Sequence, residues 1–314
     1  MKIVTAETDV SVGKPVVSVV MIFLNGERFI REAVESVFAQ TFQQWELLLV
    51  DDGSTDGSSE IAKRYAEECP GRVACHDHPH HRNLGMSASR NLGLMAARGR
   101  YVAFLDCDDV WLPQKLAEQV ALMEQYPDAG MVYGRVCIWH GWTGRPEDQA
   151  NDSMSELGLP PDRVVMPPVA ISAYLSDDAI TPCPSSVLLQ RDLLIRLGGF
   201  NPAFRDLYED IVCWIKVGLE APILPSNSCW SKYRQHADSA CAKGEGRVDP
   251  AGRSYPAHCR RLYLEWVADY FRGKAITDPG LWDALERQRR VQTHPRGDGA
   301  SGNERMDVAL GKAS

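Results

Sequence analysis

The stretch YVAFLDCDDVWLP, residues 101–113, decides the fold. Tyr101, Val102, Ala103, Phe104 and Leu105 have the length and the β-branched or aromatic content of a buried strand, and the run ends abruptly in Asp106, Asp108 and Asp109. In open α/β sheets ligands bind beyond the carboxyl ends of the strands. Carboxylates crowded at that edge repel one another unless a cation joins them. Oxygen ligands suit Mg²⁺ or Mn²⁺, which take one or two carboxylates and leave the other positions to substrate phosphates and water. Locally the pattern admits a metal-diphosphate site, and equally a loop of solvated Asp residues capping a helix that starts at Leu112 with Pro113 in its first turn.

Outward towards the N-terminus, residues 15–25 (PVVSVVMIFLN) read as a first buried strand. A helix over residues 27–40 follows, with Phe29, Ile30, Ala33, Val34, Val37 and Phe38 on one face. Residues 45–50 form a second strand, closed by the tight loop DDGSTDG (51–57), which caps a helix running to about Glu68. Residues 72–78 make a third strand, and after a His-rich loop a helix over residues 87–98 leads into the strand at 101–105. Strands alternating with helices at this spacing predict an α/β fold with a mostly parallel sheet.

Towards the C-terminus, residues 141–181 are rich in Pro, Gly, Asp and Ser and read as a long excursion over a site, with disorder as the competing account. A strand (185–190), a short helix (191–197), a Gly198-Gly199-Phe200 turn, a helix (209–219) and a last strand (229–235) follow. Residues 259–272 place Leu262, Tyr263, Trp266, Val267, Tyr270 and Phe271 on one face, with Arg260, Arg261, Arg272 and Lys274 around it. Such a stripe packs on its own domain or on a partner subunit, or lies on a membrane surface. Beyond about Arg290 the polar, Gly-rich composition predicts a disordered tail.

A chain of 314 residues, 44% hydrophobic, supports one large α/β domain or two modest ones. The net charge of -8 argues against nucleic acid as the main partner. Nine scattered cysteines without a C-x-x-C read as reduced packing residues of a cytosolic chain. The first fifteen residues lack an apolar signal core, and the longest apolar run, residues 16–24, is broken by Ser18 and too short to span a membrane. The expectation is a cytoplasmic protein, at most peripheral to the membrane's inner face.

No G-x-G-x-x-G follows the first strand and no G-x-x-x-x-G-K-[ST] occurs, which excludes the usual dinucleotide fold and the P-loop. Asp52, near the end of the second strand, is placed to accept from a base N–H or a ribose hydroxyl, whereas Thr55 and Asp56 read as caps. Residues 83–91 (NLGMSASRN) set a Gly-containing loop before a helix; a helix N-terminus with Arg90 suits a phosphate, and plain capping by Ser87 with Arg90 solvated stands beside that reading. His76, His78, His80 and His81 lack metal-ligand spacing and receive no catalytic part. Glu209 and Asp210, at a helix start, either complement the macrodipole or supply a general base. His236 closes YRQH as a metal-capable, base-capable or structural imidazole.

In this order, VSVVMIFLNGERFIREAVESVFAQTFQQWELLLVDDGSTDGS, NLGMSASRNLGLMAARGRYVAFLDCDDVWLPQKL, GGFNPAFRDLYEDIVCWIKVG and YRQH resemble the family 2 glycosyltransferases of GT-A fold, over roughly residues 16–236. The resemblance implies a Rossmann-like, mostly parallel sheet flanked by helices, a nucleotide-sugar donor, UDP-linked by the family's habit, and a divalent cation, Mn or Mg. It implies that Asn25 and Asp52 hold the nucleoside, that Arg90 and Asp106 lie at the donor, and that Asp108 and His236 approach the metal. Asp210 would be the catalytic base, with Gly199, Phe200, Glu209 and Trp214 on the acceptor side. Ser89 stands where the family commonly has Ala, and Lys216 where Arg is common. The implied reaction is an inverting transfer to an acceptor hydroxyl on a saccharide or lipid-linked glycan, in polysaccharide or cell-surface synthesis. The rivals are a metal-dependent nucleotidyltransferase and a non-catalytic nucleotide-sugar or carbohydrate-binding module.

The expected organisation is an N-terminal extension (1–14), a GT-A domain (15–240) with a nucleotide-sugar half to about 112 and an acceptor half from 113, a helical C-terminal extension (241–290) and a tail (291–314). The C-terminal helix leaves a homodimer or a peripheral membrane contact as expected partners.

Overall fold

The computed structural model describes residues 13–245, 247–248 and 254–293; most of the expected N-terminal extension and of the expected tail lies outside the described residues. The first half alternates strand and helix as expected: β1 (Val17–Phe23), α1 (Ile30–Phe38), β2 (Trp45–Asp51), α2 (Ser58–Glu68), β3 (Val73–Asp77), α3 (Met86–Ala96) and β4 (Tyr101–Asp106). Then come β5 (Val110–Trp111), α4 (Lys115–Gln125), β6 (Met131–Trp139), α5 (Pro146–Gln149), β7 (Ser153–Met154), α6 (Val169–Leu175), β8 (Val187–Gln190), α7 (Arg191–Arg196), α8 (Glu209–Glu220), β9 (Ile223–Arg234), α9 (Ala240–Glu245), α10 (Tyr255–Gly273) and α11 (Pro279–Thr293).

One sheet runs β3-β2-β1-β4-β8-β6-β9-β5, with β7 against β6. β3, β2, β1 and β4 are parallel, while β8 is antiparallel to both β4 and β6, so the first half of the sheet is parallel and the second half is mixed. Both faces of the parallel half are covered, which is why its strands are near-continuous apolar runs. Val17, Val19, Met21, Leu47, Leu49, Ala103 and Leu105 pack with α1, α2 and α4. Val20, Ile22, Leu48, Val50, Val102 and Phe104 pack with α3, α8, α10 and α11 on the other side.

Two expectations are corrected. No helix starts at Leu112: Val110 and Trp111 pair with Lys232 and Ser231 in β9, and the helix begins at Lys115. Trp111 is drawn into the sheet because its indole N–H donates to the Ser185 carbonyl at 2.8 Å and its backbone N–H to Ser36 Oγ at 3.1 Å. Residues 141–181 are not a loose cover: α6 buries Ala170, Ile171, Tyr174 and Leu175 in the same core as Val212 and Val217 of α8. Seven residues between Pro-rich flanks are too few to reveal a helical period. Periodicity also marks no element over residues 131–139, yet β6 is central; Gly134 and Arg135 interrupt its alternation where the register with β9 shifts. A Cβ on Gly134 would meet the Ser228 carbonyl at 2.3 Å and the Trp230 ring at 2.7 Å.

The aromatic face of α10 packs on its own domain. Tyr263 stacks on Tyr208 with ring centroids 5.0 Å apart, and Trp266 meets Phe204 edge-on at 6.2 Å. Leu262 is the large apolar side chain that α10 leaves exposed, so the stripe that suggested a dimer or membrane contact is already covered. No described helix is long and apolar enough to cross a membrane.

Candidate active site

Parallel register aligns three strand ends. Phe23 pairs with Asp51 and Ile22 with Asp106, so the loops beginning at Leu24, Asp52 and Cys107 leave one edge side by side. α8 brings Glu209 and Asp210 to that edge, and the end of β9 brings Arg234 and His236.

The centre is an acidic cluster organised by Arg90. This guanidinium, 1% exposed, donates through one terminal nitrogen to Glu209 Oε1 at 2.6 Å and through the other to Asp106 Oδ1 at 2.7 Å. The expectation of Arg90 as a solvated or phosphate-facing cation is corrected: both terminal nitrogens are committed to carboxylates, which matches the planar fork of Arg. Burial, then the charge of Asp210, pushes Glu209 up to about 8 against the pull of Arg90. Burial also raises Asp210, and Arg90 opposes it. Asp210 Oδ1 accepts the Ile211 backbone N–H at 2.7 Å, and Asp210 is only partly buried, whereas Glu209 is buried and ion-paired. A carboxylate raised by burial yet open to solvent has the properties of a general base. Tyr208, just before the pair, sits at φ 67°, and this left-handed turn brings the two acids to the start of α8.

Asp108 and His236 come together, with Oδ2 to Nε2 at 3.0 Å. His236 lies against Phe29, ring centroids 4.7 Å apart, and its Nδ1 is buried with no partner. Arg234, unassigned in the sequence reading, donates Nε–H to the Asp108 carbonyl at 2.6 Å and a terminal N–H to Glu32 at 2.6 Å. Its backbone N–H donates to Asp109 Oδ1 at 3.0 Å. Asp109 is fully buried and accepts from Ser185 Oγ at 2.6 Å; burial and the charges of Asp108 and Asp106 push its carboxyl well up.

On the nucleoside side, Asn25 sits at φ 53° and its side-chain oxygen accepts from the Thr55 backbone N–H at 2.7 Å. Asp52 does not face solvent. Its carboxylate, 4% exposed, accepts from the Leu84 N–H at 2.8 Å and the Gly85 N–H at 3.0 and 3.1 Å. The reading of Asp52 as a direct nucleoside contact is corrected to an anchor of the 83–85 loop, since the short acid reaches two consecutive amides. The His-rich loop, given no part in catalysis, has a structural one. His81 joins Asp77 Oδ2 at 2.7 Å to the Ser54 carbonyl at 2.6 Å, and His78 bonds Ser89 Oγ at 2.8 Å.

The expected acceptor-side set is also corrected. Phe200 and Trp214 are fully buried, edge to face at 6.0 Å, and Trp214 donates to the Pro182 carbonyl at 2.9 Å. They back the site and present no surface to an acceptor. Gly199, at φ 58°, lets Asn91 clamp the backbone N–H and C=O of Phe200, both at 2.8 Å. Lys216 donates to the carbonyls of Leu197 and Gly199, a capping task for which a point donor suffices.

Asp106, Asp108, Asp109, Glu209 and Asp210 share this edge with two buried guanidiniums, and Arg234 is shared with Glu32. Asp108 and His236 offer an oxygen and a nitrogen donor, and no described group of three or more His, Cys, Asp or Glu forms a ready metal cage. That donor set fits a hard divalent cation that completes its shell with phosphate oxygens and water.

The model of glycosyl transferase family 2 matches residues 18–197. The chain belongs to glycosyltransferase family 2. EpsE of Bacillus subtilis (strain 168), a glycosyltransferase, is 30% identical over 261 residues, 82% of this chain and 86% of its own. TuaG of the same organism, named for teichuronic acid biosynthesis, is 32% identical over 228 residues, 70% of this chain and 79% of its own. Among solved structures, S. aureus TarS (1-349) superposes with a TM-score of 0.60 at 18% identity, covering 94% of this chain and 79% of that one. The mannosyltransferase PcManGT of Pyrobaculum calidifontis, solved with GDP-Man and Mn2+, gives 0.54 at 17% identity with the same coverages. This glycosyltransferase therefore shares the GT-A fold of its structural neighbours.

Proposed function

We propose that the chain is an inverting transferase that moves a sugar from a nucleotide-diphosphate sugar, UDP-linked, to an acceptor hydroxyl of a cell-surface saccharide. The observation that carries this reading is the Arg90 bridge: it fixes the donor-side Asp106 and the Glu209–Asp210 pair on one buried guanidinium. Support for the donor comes from relatives of the same fold, TarS having been solved with UDP-GlcNAc. Support for the setting comes from TuaG, named for teichuronic acid biosynthesis.

In this mechanism Asp210 takes the proton of the acceptor hydroxyl as that oxygen attacks the anomeric carbon, and the bond to the nucleoside diphosphate breaks on the opposite face. Asp108 and His236 would hold a divalent cation, Mn or Mg, which would supply Lewis-acid neutralisation of the leaving diphosphate. Arg90 keeps Glu209 and Asp106 in place, and its charge opposes the rise that burial imposes on the Asp210 pKa. Asn25 orders the loop after β2 against which the nucleoside lies.

Asp210→Asn tests the assignment. Its nucleotide-sugar affinity should stay at the wild-type level, while transfer falls by about 10²–10⁴-fold, the range of a general base. Normal transfer by this variant would sink the assignment of Asp210.

A further inference from the structure

We propose that Ser185 and Asp109 are positioning residues that set the spacing between Asp108 and His236, and thereby the affinity for the cation and the diphosphate it binds. The inference rests on the functional reading above and deepens it.

The geometry converges on one hydroxyl. Ser185 Oγ donates to Asp109 Oδ2 at 2.6 Å and accepts the backbone N–H of Asp106 at 3.2 Å, using a donor and an acceptor that alanine lacks. The Asp109 backbone N–H closes on the Asp106 carbonyl at 3.0 Å, making a tight turn with Asp108 near its apex. The second oxygen of Asp109 accepts the Arg234 backbone N–H at 3.0 Å, and the Arg234 side chain returns to the Asp108 carbonyl at 2.6 Å. The turn is thus tied to the end of β9 by two bonds, two residues before His236.

Ser185 itself is held from behind. Its carbonyl accepts the Trp111 indole N–H at 2.8 Å, and the following Ser186 carbonyl accepts from Gln119 Nε2 at 2.7 Å. Ser185 and Asp109 are both fully buried, and Asp109 makes no ion pair among the described residues. A buried carboxylate held by a hydroxyl and an amide alone is costly to fold, and the structure spends that cost beside the Asp108–His236 pair. The Asp108 backbone is held at its carbonyl by Arg234, and its side chain meets His236 at 3.0 Å. Groups that orient a metal ligand typically change metal affinity by about 10–100-fold when removed.

The test uses the full chain and Mn²⁺ as probe, with UDP and GDP as nucleotides. Free Mn²⁺ is read by electron paramagnetic resonance, and nucleotide affinity by calorimetry with Mn²⁺ and with chelator. Ser185→Ala and Asp109→Asn should weaken Mn²⁺ binding in the nucleotide complex by about 10–100-fold, with metal-free nucleotide affinity unchanged. Ser185→Thr, which keeps the hydroxyl, should recover most of the loss. Wild-type Mn²⁺ affinity in Ser185→Ala would overturn the proposal. So would a parallel loss of metal-free and metal-dependent binding with a lowered melting temperature, the mark of a merely structural role. Absence of metal-dependent nucleotide binding in the wild type would overturn the functional reading and this inference together, whereas an unaffected Ser185→Ala beside a normal wild type would overturn this inference alone.

Discussion

Replacing Arg90 by methionine removes the charge that holds the cluster together and keeps much of the side-chain volume. Glu209 is 4% exposed and loses the guanidinium that pairs with it at 2.6 Å; Asp106 loses its own, at 2.7 Å. Breaking a buried ion pair typically costs about 3–5 kcal/mol because the remaining charge is stranded. At about 2–4 °C per kcal/mol for a domain of this class, the melting temperature of Arg90→Met should fall by about 6–20 °C at neutral pH. The stranded acids can escape by taking up protons. Burial and Asp210 already raise Glu209 to about 8, and without Arg90 it rises further. A carboxyl whose folded pKa lies above its unfolded value stabilises the protein fully below the unfolded value of about 4.5, and that contribution is lost as pH climbs towards the folded one. The deficit of Arg90→Met relative to wild type should therefore widen as pH rises through about 8, where wild-type Glu209 ionises beside Arg90 and the variant's does not, in urea denaturation followed by circular dichroism. A melting temperature within about 2 °C of wild type at neutral pH, or a deficit that does not change with pH, would refute the bridge as the organising contact.

Three further outcomes follow from the same geometry. Asp108→Ala should abolish the extra nucleotide-sugar affinity that Mn²⁺ confers while sparing affinity for the nucleoside, read by calorimetry with and without chelator. His81 donates from both ring nitrogens, a state that needs the imidazolium; the Ser54 carbonyl first, then Asp77, raises its pKa above 6.5, with Asp51 adding to the pull. That clamp is complete below 6.5 and is lost as pH rises through the raised folded value, so donor affinity should decline over that window and His81→Gln should flatten the profile. Asp52→Asn turns an amide towards the Leu84 and Gly85 N–H groups and should raise the donor KM with kcat little changed, measured by steady-state transfer.

The parallel half was legible because each of its strands is buried on both faces and reads as an uninterrupted apolar run closed by acids or glycine. Asp106, Asp108, Glu209, Asp210 and His236 were singled out through the resemblance of their motifs to family 2 glycosyltransferases, and the fold sets Arg90 between Asp106 and Glu209 and Asp108 beside His236. Orientation was not legible. Arg90 looked like a phosphate ligand because a helix N-terminus predicts anions, and only the arrival of Glu209 from 119 residues away turns it into an internal bridge. Asp52 and the four histidines show the same limit: which way a short side chain points depends on loops that no periodicity describes. Phe200 and Trp214 were placed at the acceptor by the family resemblance, whereas burial assigns them to the wall behind. The roles of Ser185, Asp109 and Arg234 escaped notice because they are made of hydrogen bonds between segments distant in sequence. Arg234 stood inside YRQH, however, and a basic residue two positions before His236 was the available signal.

The central claim, a metal-dependent nucleotide-sugar site at the edge formed by β1, β2 and β4, is tested most directly by melting the protein against a panel of UDP-, GDP- and other nucleotide-sugars, with Mn²⁺ and then with chelator. A ligand at a hundred times its dissociation constant stabilises by about 2.7 kcal/mol, several degrees for a chain of this size. The account predicts that one nucleotide-sugar, UDP-linked, shifts the melting temperature in the presence of Mn²⁺ and loses most of that shift in chelator. A folded protein that no member of the panel stabilises, with or without metal, would contradict it.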